Sequence, residues 1–177
     1  MPNRMTDRYN VTQKYLMTRG QAINFPAQYF SNFAKMKRNE VFGVVIDIPM
    51  SSDVLTTMVC FINGAANIYF NNGGEYTGAS QKYRNLVQAA HTLVANAGQL
   101  LPKCQKTKQY DLPKGRTNKI FLLTKSGVYM TELKAGLIPE TEPELRSFYV
   151  LYQRVLSEIR SCQLKDEAEA RKNAQNK

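Results

Sequence analysis

His91 is the one histidine of the chain, and Ser80, in Gly78-Ala79-Ser80-Gln81-Lys82, is the serine nearest to a nucleophile's setting. A hydrolase elbow needs glycine where Lys82 stands. On one helix, the 11 positions between Ser80 and His91 would separate their backbones by roughly 16 Å. They therefore form no acid–base pair, and His91 reads as a packing or surface residue. Three cysteines stand at Cys60, Cys104 and Cys162, each more than forty positions from the next. An odd, scattered set supplies neither a disulfide framework nor paired zinc ligands. Cys104 has cationic neighbours in Lys103 and Lys106 but no orienting base, so it reads as an ordinary surface thiol. Asp47, Asp53 and Glu75 are dispersed carboxylates. No catalytic residue, metal ligand or cofactor motif is assigned.

Two segments hold residue types suited to binding. The first is Asn71-Asn72-Gly73-Gly74-Glu75-Tyr76-Thr77-Gly78-Ala79-Ser80. Glycines entering a helix can present backbone N–H groups to an anion, aided by the helix dipole. The spacing of Gly73 and Gly78 matches a phosphate loop, but Ala79-Ser80 stands where that motif demands lysine followed by serine or threonine. Two readings follow. Asn71, Asn72, Gly73, Gly74, Gly78 and Ser80 line a ligand or phosphate site, or the glycines serve positive φ while Thr77 or Ser80 caps the helix.

The second is the stretch from Lys103 to Lys119, where Lys103, Lys106, Lys108, Lys114, Arg116 and Lys119 face a single acid, Asp111, with Tyr110 between them. Cations can contact a phosphate backbone while an aromatic ring stacks a base. Lysines also keep a loop solvated, so both readings stand. A loop of this length is itself unusual unless it functions or is disordered.

The whole chain carries a net charge of +10, from 24 Lys and Arg against 14 Asp and Glu. Such an excess attracts anionic partners and also favours solubility. At 177 residues the sequence fits one domain able to bury a core without covalent staples. Its first residues are polar rather than a signal peptide's apolar run, and the cysteine usage suits a reducing compartment, so a cytoplasmic location is expected. The long uncharged stretches Val54–Gly74 and Asn85–Pro102 are broken by Asn, Gln, Thr and Gly, and neither reads as a membrane span.

The elements that would position these residues follow from periodicity. Residues 1–25 lack a sustained pattern and read as a loosely ordered basic arm. From Pro26, the recurrence of Tyr29, Phe30, Phe33, Ala34 and Met36 predicts a short helix closed by Lys35, Lys37 and Arg38. Val41 to Ile48 is β-rich on both alternations and predicts a buried strand. Thr56–Ile62 and Ala65–Phe70 flank Asn63-Gly64, predicting a hairpin closed by a type I′ turn. A helix is expected from about Ala79 to Leu101, then a second hairpin, Lys119–Thr124 and Val128–Leu133, around Lys125-Ser126-Gly127. Thr141-Glu142-Pro143-Glu144 has capping-box spacing, and Leu145, Phe148, Tyr152, Val155 and Ile159 line the helix that follows. The expectation is an α+β fold, a five-stranded, mainly antiparallel sheet in the order α-β-β-β-α-β-β-α. It occupies residues 26–162 as a single domain, with 163–177 as a frayed or disordered tail.

The run Asn67-Ile68-Tyr69-Phe70-Asn71-Asn72-Gly73-Gly74, followed by Gly78 and a helix, resembles an uncharacterised family of bacterial α+β proteins in which a Tyr-Phe-x-x-Gly-Gly turn precedes a helix. The resemblance implies no activity. The element order is also similar to that of type III secretion chaperones and related binding modules, which implies dimerisation and an extended protein client. The reading from sequence is thus a non-enzymatic protein-binding or assembly module, with an unknown partner and an expected homodimer. The alternatives are a basic nucleic-acid-associated protein using residues 103–119 or a small-ligand binder at the Gly73–Gly78 turn.

Overall fold

The structure, a computed structural model, describes residues 9–134 and 142–177. Seven strands form one antiparallel sheet: β1 Gly43–Pro49, β2 Leu55–Phe61, β3 Ala66–Phe70, β4 Glu75–Tyr76, β5 Gln105–Thr107, β6 Thr117–Thr124 and β7 Gly127–Lys134. Their spatial order is β4-β3-β2-β1-β6-β7-β5. Helix α1 spans Gln13–Ile23, α2 Arg84–Asn96 and α3 Pro143–Gln175.

β1 and β2 are buried along nearly their whole length because the sheet is covered on both faces. Val44, Ile46, Ile48, Met58 and Cys60 point to the layer made by α2 and α3, where they meet Leu86, Leu93, Tyr152, Val155 and Ile159. Val45, Val59, Phe61, Phe121 and Leu123 point the other way, onto the segment preceding β1. Phe25 and Phe30 pack there on Phe61 at 4.7 and 5.6 Å between ring centroids. Alternate residues of one strand thus serve two cores, as the two-residue period of a strand requires.

The α+β class and the antiparallel pairing agree with the sequence reading, and two parts of it are corrected. The sheet has seven strands, not five, because β4 and β5 are two and three residues long and carry no visible alternation. The first helix lies at Gln13–Ile23, whereas residues 26–36 form two 3-10 turns, Ala27–Tyr29 and Phe33–Lys35. The expected loose arm is therefore, over its described part, a packed element: Tyr15 and Ile23 are each 1% exposed. At the other end of the chain, α3 runs on to Gln175.

The hairpin at Asn63-Gly64 is present, with a different turn. Gly64 alone has positive φ, +87°, and Asn63 does not, which excludes type I′. Instead Gly64 N–H donates to Phe61 O and Phe61 N–H to Ala65 O, a three-residue loop with glycine in the left-handed position. The capping-box threonine, Thr141, lies outside the described residues; Glu142 is the N-cap of α3, and its side chain makes no capping bond.

Candidate nucleic-acid interface

The charged groups of the N-terminal face divide into a matched set and an unmatched set. The matched set is buried. Arg19 of α1, 5% exposed, meets Asp47 of β1, fully buried, through Nε to Oδ1 at 3.0 Å and Nη2 to Oδ2 at 2.7 Å. Thr57 of β2 donates to Asp47 Oδ1 at 2.8 Å, and the Tyr15 hydroxyl, 2.6 Å from Thr57 Oγ1, donates in turn to that oxygen. Burial opposes the charge on Arg19, but Asp47's charge and hydrogen bonds outweigh it and raise the guanidinium's pKa. Burial, then Asp47's charge, raise Tyr15.

This network holds more than α1. Arg19 Nη1 donates to Tyr110 O at 2.7 Å and Nη2 to Asp111 O at 3.3 Å, while Lys119 Nζ donates to Asp111 O at 2.8 Å. Lys119 is 8% exposed and stands opposite Asp47 in the β1–β6 register. Two cations on two elements thus clamp the carbonyls of the loop between β5 and β6. A loop fixed from beneath in this way has few alternative positions, and Tyr110 is set at the edge of a cleft.

The cleft, about 450 Å³, lies between the β6–β7 turn, the start of β5 and the end of α1. Lys106, Lys108 and Tyr110 line it with Asn24, Phe25 and Ser126. The β6–β7 turn also recruits residues distant in sequence. Ser126 N–H donates to Arg38 O at 3.2 Å, Ser126 Oγ–H to Asn39 Oδ1 at 3.2 Å, and Lys125 Nζ to Met36 O at 2.6 Å while lying 4.2 Å from the Phe33 ring centroid. The exposed Lys35, Lys37 and Arg38 are therefore carried to the same end of the molecule as Lys106 and Lys108. Among the described residues, none of these five nor Lys125 forms an ion pair. Glu40, whose carboxylate accepts from Lys37 N–H, supplies a single opposing charge nearby.

Of the seven residues that the sequence marked for nucleic acid, Lys106, Lys108 and Tyr110 meet at the cleft. Lys114 and Arg116 are exposed on the following loop. Lys119 turns inward to Asp111, and Lys103 approaches Glu142 at 3.9 Å. Tyr110 is half-buried and edge-on to Phe121 at 6.0 Å, so it borders the cleft rather than offering a free stacking platform. Sequence reasoning left out Lys35, Lys37, Arg38 and Lys125. The signal was a basic cluster read only as a helix terminus.

The glycine-rich turn is placed differently from either expectation. Asn71-Asn72-Gly73 closes the β3–β4 hairpin with the same bonding as Asn63-Gly64: Gly73 N–H donates to Phe70 O, Phe70 N–H to Gly74 O, and Gly73 has φ +92°. Gly74 has no positive φ. Asn71 is 5% exposed, accepts from Leu55 N–H and donates to Asn10 O and Asp53 O. Asn72 accepts from Gly74 N–H, and Gly78 donates to Asn67 Oδ1. Ser80 lies in a 3-10 turn, Ala79–Gln81, and α2 starts only at Arg84, with no side-chain cap from Thr77 or Ser80. The asparagines thus hold the fold's own backbone, and these glycines do not open α2.

The remaining chemical groups are likewise engaged. His91 is exposed, with Nδ1–H donating to Ile62 O at 2.7 Å. Cys104, expected at the surface, is half-buried, its thiol donates to Leu100 O, and burial pushes it up to about 12; Cys60 is pushed equally high by burial. Among the described residues no group of three His, Cys, Asp or Glu converges, and no helix is long and apolar enough to cross a membrane. No family model, curated protein or solved structure matches the chain.

Proposed function

We propose that the protein is a non-enzymatic binding module whose partner is single-stranded nucleic acid, held at the basic cleft. One observation carries the reading: Lys106 and Lys108 line a cleft beside the β6–β7 turn, to which the basic segment of Lys35, Lys37 and Arg38 is bonded through Met36 O and Arg38 O, and none of these cations is paired to a carboxylate among the described residues. Cations left unmatched at an exposed site retain their attraction for phosphate, and release of counterions from the strand drives association. The single strand is favoured over the duplex because the cleft is concave and partly walled by Phe25 and Tyr110, where an unpaired base can enter.

A protein partner or second copy, expected from the sequence, ranks below this. β4 and β5 end the sheet, and each is too short to template a further strand. β5 also bears Lys106, a charge that discourages edge pairing. Fluorescence anisotropy of a labelled oligonucleotide tests the proposal. Binding at low salt that weakens with Lys106→Glu/Lys108→Glu, and a lower affinity for the matching duplex, are expected. Absence of binding at low salt, or equal affinity in the variant, overturns it.

A further inference from the structure

A second cleft, of about 500 Å³, adjoins the basic one. Tyr29, Phe30, Ser31 and Asn32 line it from the segment after α1, Ile62 and Asn63 from the β2–β3 turn, and His91 from α2. Two ring contacts set the clefts side by side. Phe25, in the lining of the basic cleft, stands 5.1 Å from Tyr29 between ring centroids, and Phe42, in the same lining, stands 5.5 Å from Phe30. A backbone bond repeats the link, with Ile62 N–H donating to Phe42 O at 2.9 Å. The clefts therefore meet at an aromatic ridge. One length of chain also joins them: residues 29–32 line the second cleft, while Met36 O and Arg38 O are bonded to the β6–β7 turn beside the first. Lys35, Lys37 and Arg38 lie on that connecting length.

The two linings suit different parts of a nucleotide. Lys106 and Lys108 in the first can meet phosphate, whereas among the described residues lining the second there is no Lys, Arg, Asp or Glu. Its polar groups are neutral. Asn63 Oδ1 accepts from Ala65 N–H, which leaves the amide's own N–H groups to donate elsewhere. His91 donates Nδ1–H to Ile62 O, so the neutral ring keeps Nε2 as an acceptor. Tyr29 adds the apolar surface. At 71% exposed it is the most open of the large apolar side chains among the described residues, and its contacts with Phe25 and Phe30 are edge-on, at 79° and 86° between ring planes. The ring is held in place without being covered, so a flat partner can stack on it at little cost in side-chain entropy.

We infer that Tyr29 is a stacking platform for one base of a single strand whose phosphates follow the Lys35–Arg38 segment between the two clefts. The neutral polar groups of the second cleft receive the edge of that base. The inference rests on the basic cleft binding single-stranded nucleic acid, and it adds a base subsite that Tyr110, edge-on to Phe121, does not provide.

The chain contains no tryptophan, so Tyr29→Trp places a single indole reporter at the ridge. Oligothymidylate is expected to quench its emission on binding, and the same strand made of abasic sites is expected to bind without quenching. In anisotropy measurements, Tyr29→Ala should weaken oligothymidylate roughly five- to 150-fold, the worth of one stacked base. The salt slope should stay unchanged, because no phosphate contact is lost. Tyr29→Phe should restore the affinity, and the abasic strand should bind wild type and Tyr29→Ala alike. Salt-dependent binding by the wild type without quenching in Tyr29→Trp, or with equal oligothymidylate affinity in Tyr29→Ala, overturns the platform and leaves the basic cleft standing. A loss in Tyr29→Ala that is as large for the abasic strand assigns Tyr29 to the fold and also overturns it. Absence of any binding by the wild type overturns both readings.

Discussion

The two charged regions of the N-terminal face are built from the same residue types, yet one is closed and the other open. Around Arg19, each cation has an assigned oxygen: Asp47 takes three bonds from the guanidinium, and Tyr110 and Asp111 offer carbonyls to Arg19 and Lys119. Around the β6–β7 turn, Lys35, Lys37, Arg38, Lys106 and Lys108 remain exposed and, among the described residues, without carboxylate partners. Burial explains the contrast. A charge removed from water must be paired and hydrogen-bonded, whereas an exposed charge need not be, and so remains available to a ligand. The closed network fixes the loop whose side chains border the open one, linking fold to function through Tyr110 and Asp111.

The largest effect is expected from breaking the closed network. Asp47→Ala leaves the Arg19 guanidinium buried without its counter-charge, and about 3–5 kcal/mol of stability should be lost in chemical denaturation. Replacing both partners, Arg19→Met with Asp47→Leu, should recover most of it, since an apolar pair avoids the desolvation of two charges. An equal loss in the single and double variants would show that the interaction's bonds to Thr57, Tyr110 and Asp111, and not its charge balance, hold the fold.

An intermediate case sharpens the contrast. On the far edge, Asp166 of α3 accepts from the hydroxyls of Tyr76 and Tyr83 and from Lys82, whose ammonium also reaches Glu169. These charges are matched but lie at the surface. The hydrogen bonds from Tyr76 and Tyr83 lower the Asp166 carboxyl to about 2 against the opposition of desolvation. A depressed carboxylate pKa stabilises the fold fully above its unfolded value, about 3.9, and the contribution disappears as pH falls through the folded value. Protection from hydrogen exchange along α3 beyond Cys162, taken relative to the intrinsic exchange rate, should therefore fall between about pH 4 and pH 2, and Asp166→Asn should remove that pH dependence. An unchanged acid profile in the variant would mean that α3 is held by other contacts.

The smallest effect on stability is expected in the open region. Lys106→Ala and Lys108→Ala, alone or together, should leave the melting temperature nearly unchanged, within about 0.5 kcal/mol. A marked loss there would assign these lysines to the fold and dissolve the distinction between the two regions.

How much of this was legible in the sequence depended on whether a segment carries a regular apolar pattern of its own. β1, β2, β3, β6, β7, α2 and the apolar face of α3 could be read because each carries a β-rich run or a helical stripe, which β1, β2 and β6 divide between two cores. α1 could not, since its inward residues are Tyr15, Arg19, Ala22 and Ile23, and the arginine masks the stripe. The Asp47 that makes an inward arginine acceptable lies 28 positions away. The aromatics of residues 25–36 imitated helical spacing but serve a ring cluster on Phe42 and Phe61. Of the basic cleft, Lys106, Lys108 and Tyr110 were legible as a local excess of charge. The basic segment beside it was not, because the bonds from the Lys125-Ser126 turn to Met36, Arg38 and Asn39 join residues nearly ninety positions apart.

The central claim is that the open cations neutralise phosphates. The dependence of single-strand affinity on salt measures it directly. For wild type, log K should fall linearly with log salt, with a slope of about −0.7 for each phosphate engaged. Removing Lys37, Arg38, Lys106 and Lys108 together should flatten that slope by about 0.7 per cation engaged, while Lys14→Ala, whose ammonium is matched to Glu75, should leave it unchanged. An identical slope in the fourfold variant and wild type would contradict the account.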